Sequence, residues 1–332
     1  MKETLSDAVK EQIPEIDEIM AARQVNLLMR PHAAAMFFVE ECIVSINGDT
    51  KENYLEKPWF AEIYQAIYKW YLERYGDRLR ERPQQAATGM VVLFGTLFKV
   101  EVPLVTDEPA DDPSQKWILF PDSVQANEDP LHWLTAAPNL ENIPSADLAT
   151  LERDVRWVAD TVRTLKRDFS TATLEDENYK QLAIDVPIHM SVGARHVLEG
   201  QGAGHLAIWE WQMAIEKALK TYLRQQGEAP PYKHDLAALG DLAEYKGLRP
   251  LDRKLLGTLP SAKEAIAYRY GQGKPLSDVR LAELYTTALG LSVECGRQLA
   301  RNMKTRGTKF LIRVLPWARS VSPQSGSEDK AG

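Results

Sequence analysis

The sequence predicts a mainly α-helical protein of the α+β type, built in two parts. Three observations carry this. Apolar residues recur at three- and four-residue steps through most of the chain, the signature of amphipathic helices. Between residues 89 and 121 the period changes, and β-branched and aromatic residues dominate, as in strands. A stretch rich in Pro, Asp and Asn then runs from 121 to 146 before the helical pattern returns. The expected organisation is an N-terminal α+β domain over 1–145, in which helices flank a small antiparallel sheet. A helical bundle over 146–320 and a disordered tail over 321–332 follow.

The elements follow in order. Residues 4–28 read as a helix with Leu5, Val9, Ile13, Ile16, Ile19 and Met20 on one side, and with a break expected at Pro14. Residues 33–46 (AAAMFFVEECIVSI) form an apolar stretch closed by Asn47–Gly48, and the alanine-rich start favours a helix. Residues 58–78 are a strong helix, with Pro58 in the first turn and Phe60, Ile63, Ile67, Trp70 and Tyr71 on a shared face. Its aromatic load resembles a base-stacking platform, but aromatics at helical spacing are more often core. Phe98, Val100, Val102 and Leu104 alternate as a strand, Gly95 marks a bulge or turn, and WILFP at 117–121 is a further strand. Leu148, Leu151, Val155, Val158, Val162 and Leu165 then form a clean stripe after a start at Ser145. A second helix over about 175–199 contains Pro187, where a kink or break is expected.

Composition narrows the function classes. The chain has 332 residues, 44% of them hydrophobic, enough to bury real cores. No segment approaches the roughly 20 apolar residues of a membrane span. The start, MKETLSDAVKEQ, lacks the basic and apolar regions of a signal peptide. The only cysteines, Cys42 and Cys295, are far apart and form no CxxC, so a disulfide framework or cysteine zinc site is not expected; a cytoplasmic location fits best. The net charge of −7 divides unevenly: residues 201–332 carry 20 Lys and Arg against 13 Asp and Glu, and residues 1–200 carry 20 against 34. Two parts of opposite sign can simply attract each other, as readily as they can select a charged partner.

The C-terminal part is built around 205–226, HLAIWEWQMAIEKALKTYLRQQ. Ile208, Gln212 or Met213, Ile215, Leu219, Tyr222 and Leu223 define its apolar face. Glu216, Lys217, Lys220 and Arg224 are expected on the other side, with Glu216 and Lys220 in the favourable acid-before-base order. Gly227 and Pro230–Pro231 end the helix. Trp211, Gln212, Ala214, Glu216, Lys217, Ala218, Leu219 and Lys220, then His234, Leu236 and Leu239, then Tyr268, Arg269 and Tyr270, make a pattern that resembles HEPN domains over about 203–305. The resemblance implies a small, often dimeric helical bundle. Members act as RNases in bacterial toxin and defence systems, or only bind nucleotides, RNA or a protein partner. The nuclease branch needs an Arg followed by a His after four to six intervening residues. None of His32, His132, His189, His196, His205 and His234 has an arginine at that distance before it, and the adjacent Arg195 and His196 point about 100° apart on a helix. The catalytic motif is absent.

Other chemistries find little support. Glu199–Gly204 (EGQGAG) and Gly271-Gln-Gly-Lys274 are glycine-bearing tracts, but neither is GxGxxG or GxxxxGK[ST], and helix-connecting turns are the default reading. His189 and His196 share a helix face seven apart, and His205 is near Glu210, without a metal-ligand triplet. His234, just before Asp235, reads as a residue that caps or packs at a helix start. No GxSxG occurs, and neither cysteine has a histidine close in sequence. From Cys295 to Ser327 there are seven Lys and Arg and no acid, and Arg297, Arg301 and Lys304 are expected along one side of a final helix.

The resulting expectation is a HEPN-like binding module for nucleic acid, nucleotide or a protein partner, without metal or cofactor and tending to homo-oligomerise. Its candidate contacts are Lys217, Lys220, Arg269, Arg297, Arg301 and Lys304. A divergent metal-independent RNase using His234 and Arg269 is the first alternative, and an oligomeric scaffold the second.

Overall fold

The computed structural model describes residues 5–46, 48–79, 86–199, 203–232, 234–301 and 308–314. In chain order the elements are α1 (Leu5–Ala22), α2 (Arg30–Phe37), α3 (Pro58–Tyr75), β1 (Ala86–Leu93), β2 (Thr96–Pro103), β3 (Thr106–Pro109), β4 (Gln115–Leu119) and β5 (Leu134–Thr135). There follow α4 (Ser145–Ser170), α5 (Glu177–Leu198), α6 (Gly204–Gln225), α7 (Leu236–Tyr245), α8 (Arg253–Thr258), α9 (Ala262–Arg269), α10 (Asp278–Arg297) and β6 (Lys309–Arg313). The protein is mainly α with small antiparallel strand pairing, as its periodicity predicts.

Two compact units result, and their division is not the break expected near 145. One unit draws on residues 1–85, 107–118 and 310–332, the other on 86–106 and 119–309. The reason is the hairpin β1–β2. Its buried Met90, Val91, Leu93, Val100 and Val102 belong to the core formed by α4, α5, α6 and α10, not to that of the N-terminal helices.

In the first unit, α1, α2 and α3 bury Val9, Ile13, Ile16, Met20, Phe60, Ile63, Ile67 and Tyr71 in one cluster. The break expected at Pro14 does not occur; α1 runs through it and stops at Ala22 rather than 28. The apolar stretch after 33 is helical only to Phe37, continues as a π-turn over Phe38–Cys42, and is extended from Ile43. Trp70 is only partly buried, but the rest of the expected α3 face is core. Arg30 Nη1 pairs with Asp17 Oδ1 at 3.2 Å, and the Tyr75 hydroxyl donates to the same carboxylate. The WILFP segment is a strand, β4, in a separate sheet of order β3-β4-β6.

In the second unit, β1 and β2 pair antiparallel from Ala86↔Pro103 to Leu93↔Thr96, and β5 adds beside β2. Phe94 (φ 50°) and Gly95 (φ 76°) make the tight two-residue connection, the left-handed pair that suits strand twist. Gly89 lets α4 approach the sheet, because a Cβ there would lie 2.5 Å from Val158 Cγ1. The stretch after 121 is less solvated than its composition suggests. Arg163 of α4, with a fully buried side chain, donates to Glu128 at 2.6 and 2.7 Å and to the carbonyls of Pro103 and Ser123 at 2.9 Å. Pro187 neither breaks nor ends α5, which is continuous for 22 residues. No helix among the described residues is long and apolar enough to cross a membrane.

The final helix is shorter than expected. α10 ends at Arg297, and the chain turns back so that Thr173 N–H donates to the Ala300 carbonyl at 2.9 Å and Arg301 bridges to Ala172. Arg297 and Arg301 therefore do not share a helix face, and Lys304 lies outside the described residues, as do 315–332.

Candidate functional site

Helix α6 lies at the centre of its unit, packed by α5, α7, α9 and α10. Four neighbours bury nearly its whole circumference, so Trp211, Ile215 and Leu219 are joined inside by Gln212 and Glu216. Glu216, expected on the solvent side, is a buried carboxylate. A buried charge must be paired. Lys220 Nζ donates to its Oε1 at 2.6 Å, and His234 Nδ1 meets its Oε2 at 2.8 Å. With a carboxylate as partner, Nδ1 carries the proton, which leaves Nε2 as the basic nitrogen of the neutral ring. Gln212 Nε2 donates to the His234 carbonyl at 3.2 Å, and Asp235 caps α7 by accepting from Ala237 and Ala238 N–H at 3.0 and 3.1 Å. The loop carrying His234 is thereby tied to α6.

Trp209, two turns before Glu216, completes the cluster. The His234 ring meets it at 5.7 Å in an edge geometry, and the Arg269 guanidinium lies over its face at 4.7 Å from the centroid. Tyr270, 69% exposed, is 6.0 Å from the same guanidinium. His234 and Arg269, 35 positions apart in sequence, thus meet at one indole. Arg269 is exposed and held by stacking, free to offer its edge to an anion.

The other expected cations are placed differently. Lys217 Nζ is bonded to Asp185 at 2.6 Å. Burial works against ionising Asp185, but hydrogen bonds from Lys217 and Gln181 outweigh it and hold the carboxyl below its ordinary range. Lys220 is committed to Glu216. Arg301 Nη2 donates to the Gly296 carbonyl at 2.9 Å and lies 3.0 Å from Oδ2 of the buried Asp168; that contact is an ion pair off the hydrogen-bonding direction, so it serves the fold. Arg297 is exposed and pairs with Glu294 one turn back. Of the described candidates, Arg269 alone stands on an aromatic cluster at the surface.

His189 Nδ1 pairs with Glu210 at 2.5 Å. Cys42 and Cys295 are free thiols, and burial pushes Cys295 up to about 12, so it stays protonated and is a poor nucleophile. Trp209 is the site residue that sequence reasoning missed. Its signal was present: an aromatic two positions from Trp211 falls off the apolar stripe and so faces elsewhere. Gly204 and the Gly271–Lys274 turn, distant in sequence, line one cavity of about 420 Å³.

These features define a mainly helical protein with a cation–aromatic surface cluster backed by a buried glutamate, Glu216, that pairs with the exposed His234 and the partly buried Lys220. Compared with known proteins, the chain matches no family model, no curated protein and no solved structure.

Proposed function

We propose that the chain is a HEPN-like, non-catalytic binding module whose ligand is single-stranded RNA, acting in a bacterial defence or toxin–antitoxin setting. One observation carries the reading: Arg269 stacked on Trp209, with Tyr270 beside it and His234 at the ring edge. Single-stranded nucleic acid is held by such combinations, because every base has a face to stack and every nucleotide a phosphate to neutralise. Each stacked base is worth roughly 1–3 kcal/mol. Fluorescence anisotropy of a short labelled RNA across a salt series tests it. Binding should weaken with salt, and Arg269→Ala should weaken it further while the RNA stays intact on a gel. Binding unaffected by Arg269→Ala overturns the reading.

A second reading has its own support. Glu216 orienting His234, with Arg269 at the same indole, is the kind of arrangement a metal-independent RNase uses to move a ribose hydroxyl proton and steady a phosphate. Cleaved RNA in the same assay, lost in His234→Ala with unfolding unchanged, would replace the binding module with this enzyme.

A further inference from the structure

A cavity of about 460 Å³ opens at the C-terminal end of α6, within the roughly 300–1,000 Å³ of small-molecule sites. Gln225 fastens its floor. The Gln225 amide donates from Nε2 to the carbonyls of Thr173 and Ala300 at 2.9 and 3.0 Å, and accepts from Ala300 N–H at 2.6 Å. The loop between α4 and α5 and the segment after α10 are thereby tied to α6. The walls carry charge that the fold does not use. Arg224, half-buried, lies over the Tyr179 ring at 4.3 Å from the centroid, and its guanidinium has no ion pair among the described residues. Stacking fixes the guanidinium plane and leaves its N–H edge to a ligand. Glu175 and Asp176 line the same cavity, both exposed and without an ion pair among the described residues. Asp176 Oδ1 accepts from Asn178 N–H at 2.8 Å as the cap of α5, and its other oxygen is uncommitted. By contrast, Lys217, Lys220, Lys246 and Arg253 each lie within 2.7 Å of a carboxylate.

One guanidinium against two carboxylates leaves the lining a net charge of −1, and Leu174 and the Tyr179 ring supply its apolar surface. The complement is a small ligand of charge +1 that offers one carboxylate, two cationic groups and an aliphatic stem. We propose that this cavity binds a free basic α-amino acid of the arginine, lysine and ornithine class. Its α-carboxylate takes the N–H edge of Arg224, its α-ammonium and side-chain cation pair with Asp176 and Glu175, and its stem lies against Leu174. The site is independent of the RNA-binding reading, because Arg224 lies 15 residues along α6 from Trp209, roughly 22 Å at 1.5 Å per residue.

Isothermal titration calorimetry of the full chain tests it. The probes are L-arginine, L-lysine and L-ornithine, their decarboxylated amines agmatine, cadaverine and putrescine, and L-glutamate. At least one basic amino acid should bind saturably, with its amine and L-glutamate each weaker by about tenfold or more. Arg224→Gln should weaken the amino acid about tenfold and leave the amine unchanged, a split that a general loss of structure would not produce. Glu175→Gln, at an exposed position, should weaken amino acid and amine alike with an unchanged circular dichroism spectrum. No saturable binding by any of the three amino acids overturns the proposal. So does an amine or L-glutamate bound as tightly as the amino acid, or an amino-acid affinity unchanged in either variant. RNA binding is read separately through Arg269→Ala, so failure of either site leaves the other standing.

Discussion

Glu216 and Arg163 are buried charges of the second unit, each held by a partner of opposite sign. The Glu216 carboxylate, 3% exposed, neutralises Lys220 and orients His234 together. Glu216→Ala leaves a half-buried ammonium without a partner, and removal of one member of a buried pair typically costs about 3–5 kcal/mol. Urea unfolding should show that loss, with a smaller one for Glu216→Gln, which keeps a hydrogen-bond acceptor; equal losses would mean that packing, not charge, is what Glu216 provides. Arg163 presents the mirror case, a buried cation whose partner Glu128 is near the surface. Burial raises the Glu128 carboxyl, but the Arg163 and Gln125 hydrogen bonds and the Arg163 charge more than reverse this, leaving it below its ordinary value of 4.5. A carboxylate depressed in the folded state adds stability that is complete above its unfolded value and lost as pH falls through the folded one. The stability difference between the wild type and Arg163→Ala should therefore be constant near neutral pH and shrink below about pH 4.5. A difference that stays flat to pH 3 would show that the Arg163–Glu128 pair does not govern it.

Helical glycines separate packing from propensity at the level of elements. Gly193 in α5 sits where α6 crosses: an added Cβ would lie 2.4 Å from Nε1 of the buried Trp211. Gly290 in α10 has nothing within 4 Å of the same position. Gly193→Ala should destabilise by about 1–3 kcal/mol, through overpacking. Gly290→Ala should stabilise by about 0.5–1 kcal/mol, since alanine costs the helix less entropy. Chemical denaturation of the two variants should give shifts of opposite sign, and shifts of the same sign would sink the argument. Most helices were legible because their stripes are local: the α4 stripe from Leu151 to Leu165 is buried as the spacing requires. Pro14 and Pro187 were misread because a proline's cost is visible in sequence while the packing that offsets it is not; Pro187 is itself buried in the core. The capping box Ser261–Glu264 that opens α9 was readable and went unused. Glu216 was misplaced for a different reason. A helical wheel gives direction but not the number of neighbours, and four helices around α6 leave it little solvent side. The meeting of His234 and Arg269 depends on how α9 and the α7 loop pack on α6, which no local pattern encodes.

At the scale of the molecule, the informative fact is that the described buried hydrophobic residues, apart from Leu119, Ala265 and Ala282, fall into two clusters with no shared member. Sequence order hid this, because the β1–β2 hairpin lies among N-terminal residues yet belongs to the later core, and β6 lies near the C-terminus yet joins β3 and β4. Non-local strand pairing of this kind leaves no trace in periodicity. Separate cores should melt as separate cooperative units, since each unit's stability comes from the contacts within it. Ile67 is fully buried in the first cluster and Leu219 in the second. Truncating either to alanine should cost about 2–5 kcal/mol, the range for large-to-small core changes. Amide hydrogen exchange can assign that loss to its unit. Ile67→Ala should accelerate exchange in α1 and α3 and leave α4, α6 and α10 as protected as before, and Leu219→Ala should do the reverse. If either variant lowered protection in both sets by the same amount, the chain would unfold as one body and the two clusters would be a division of geometry without a counterpart in energy.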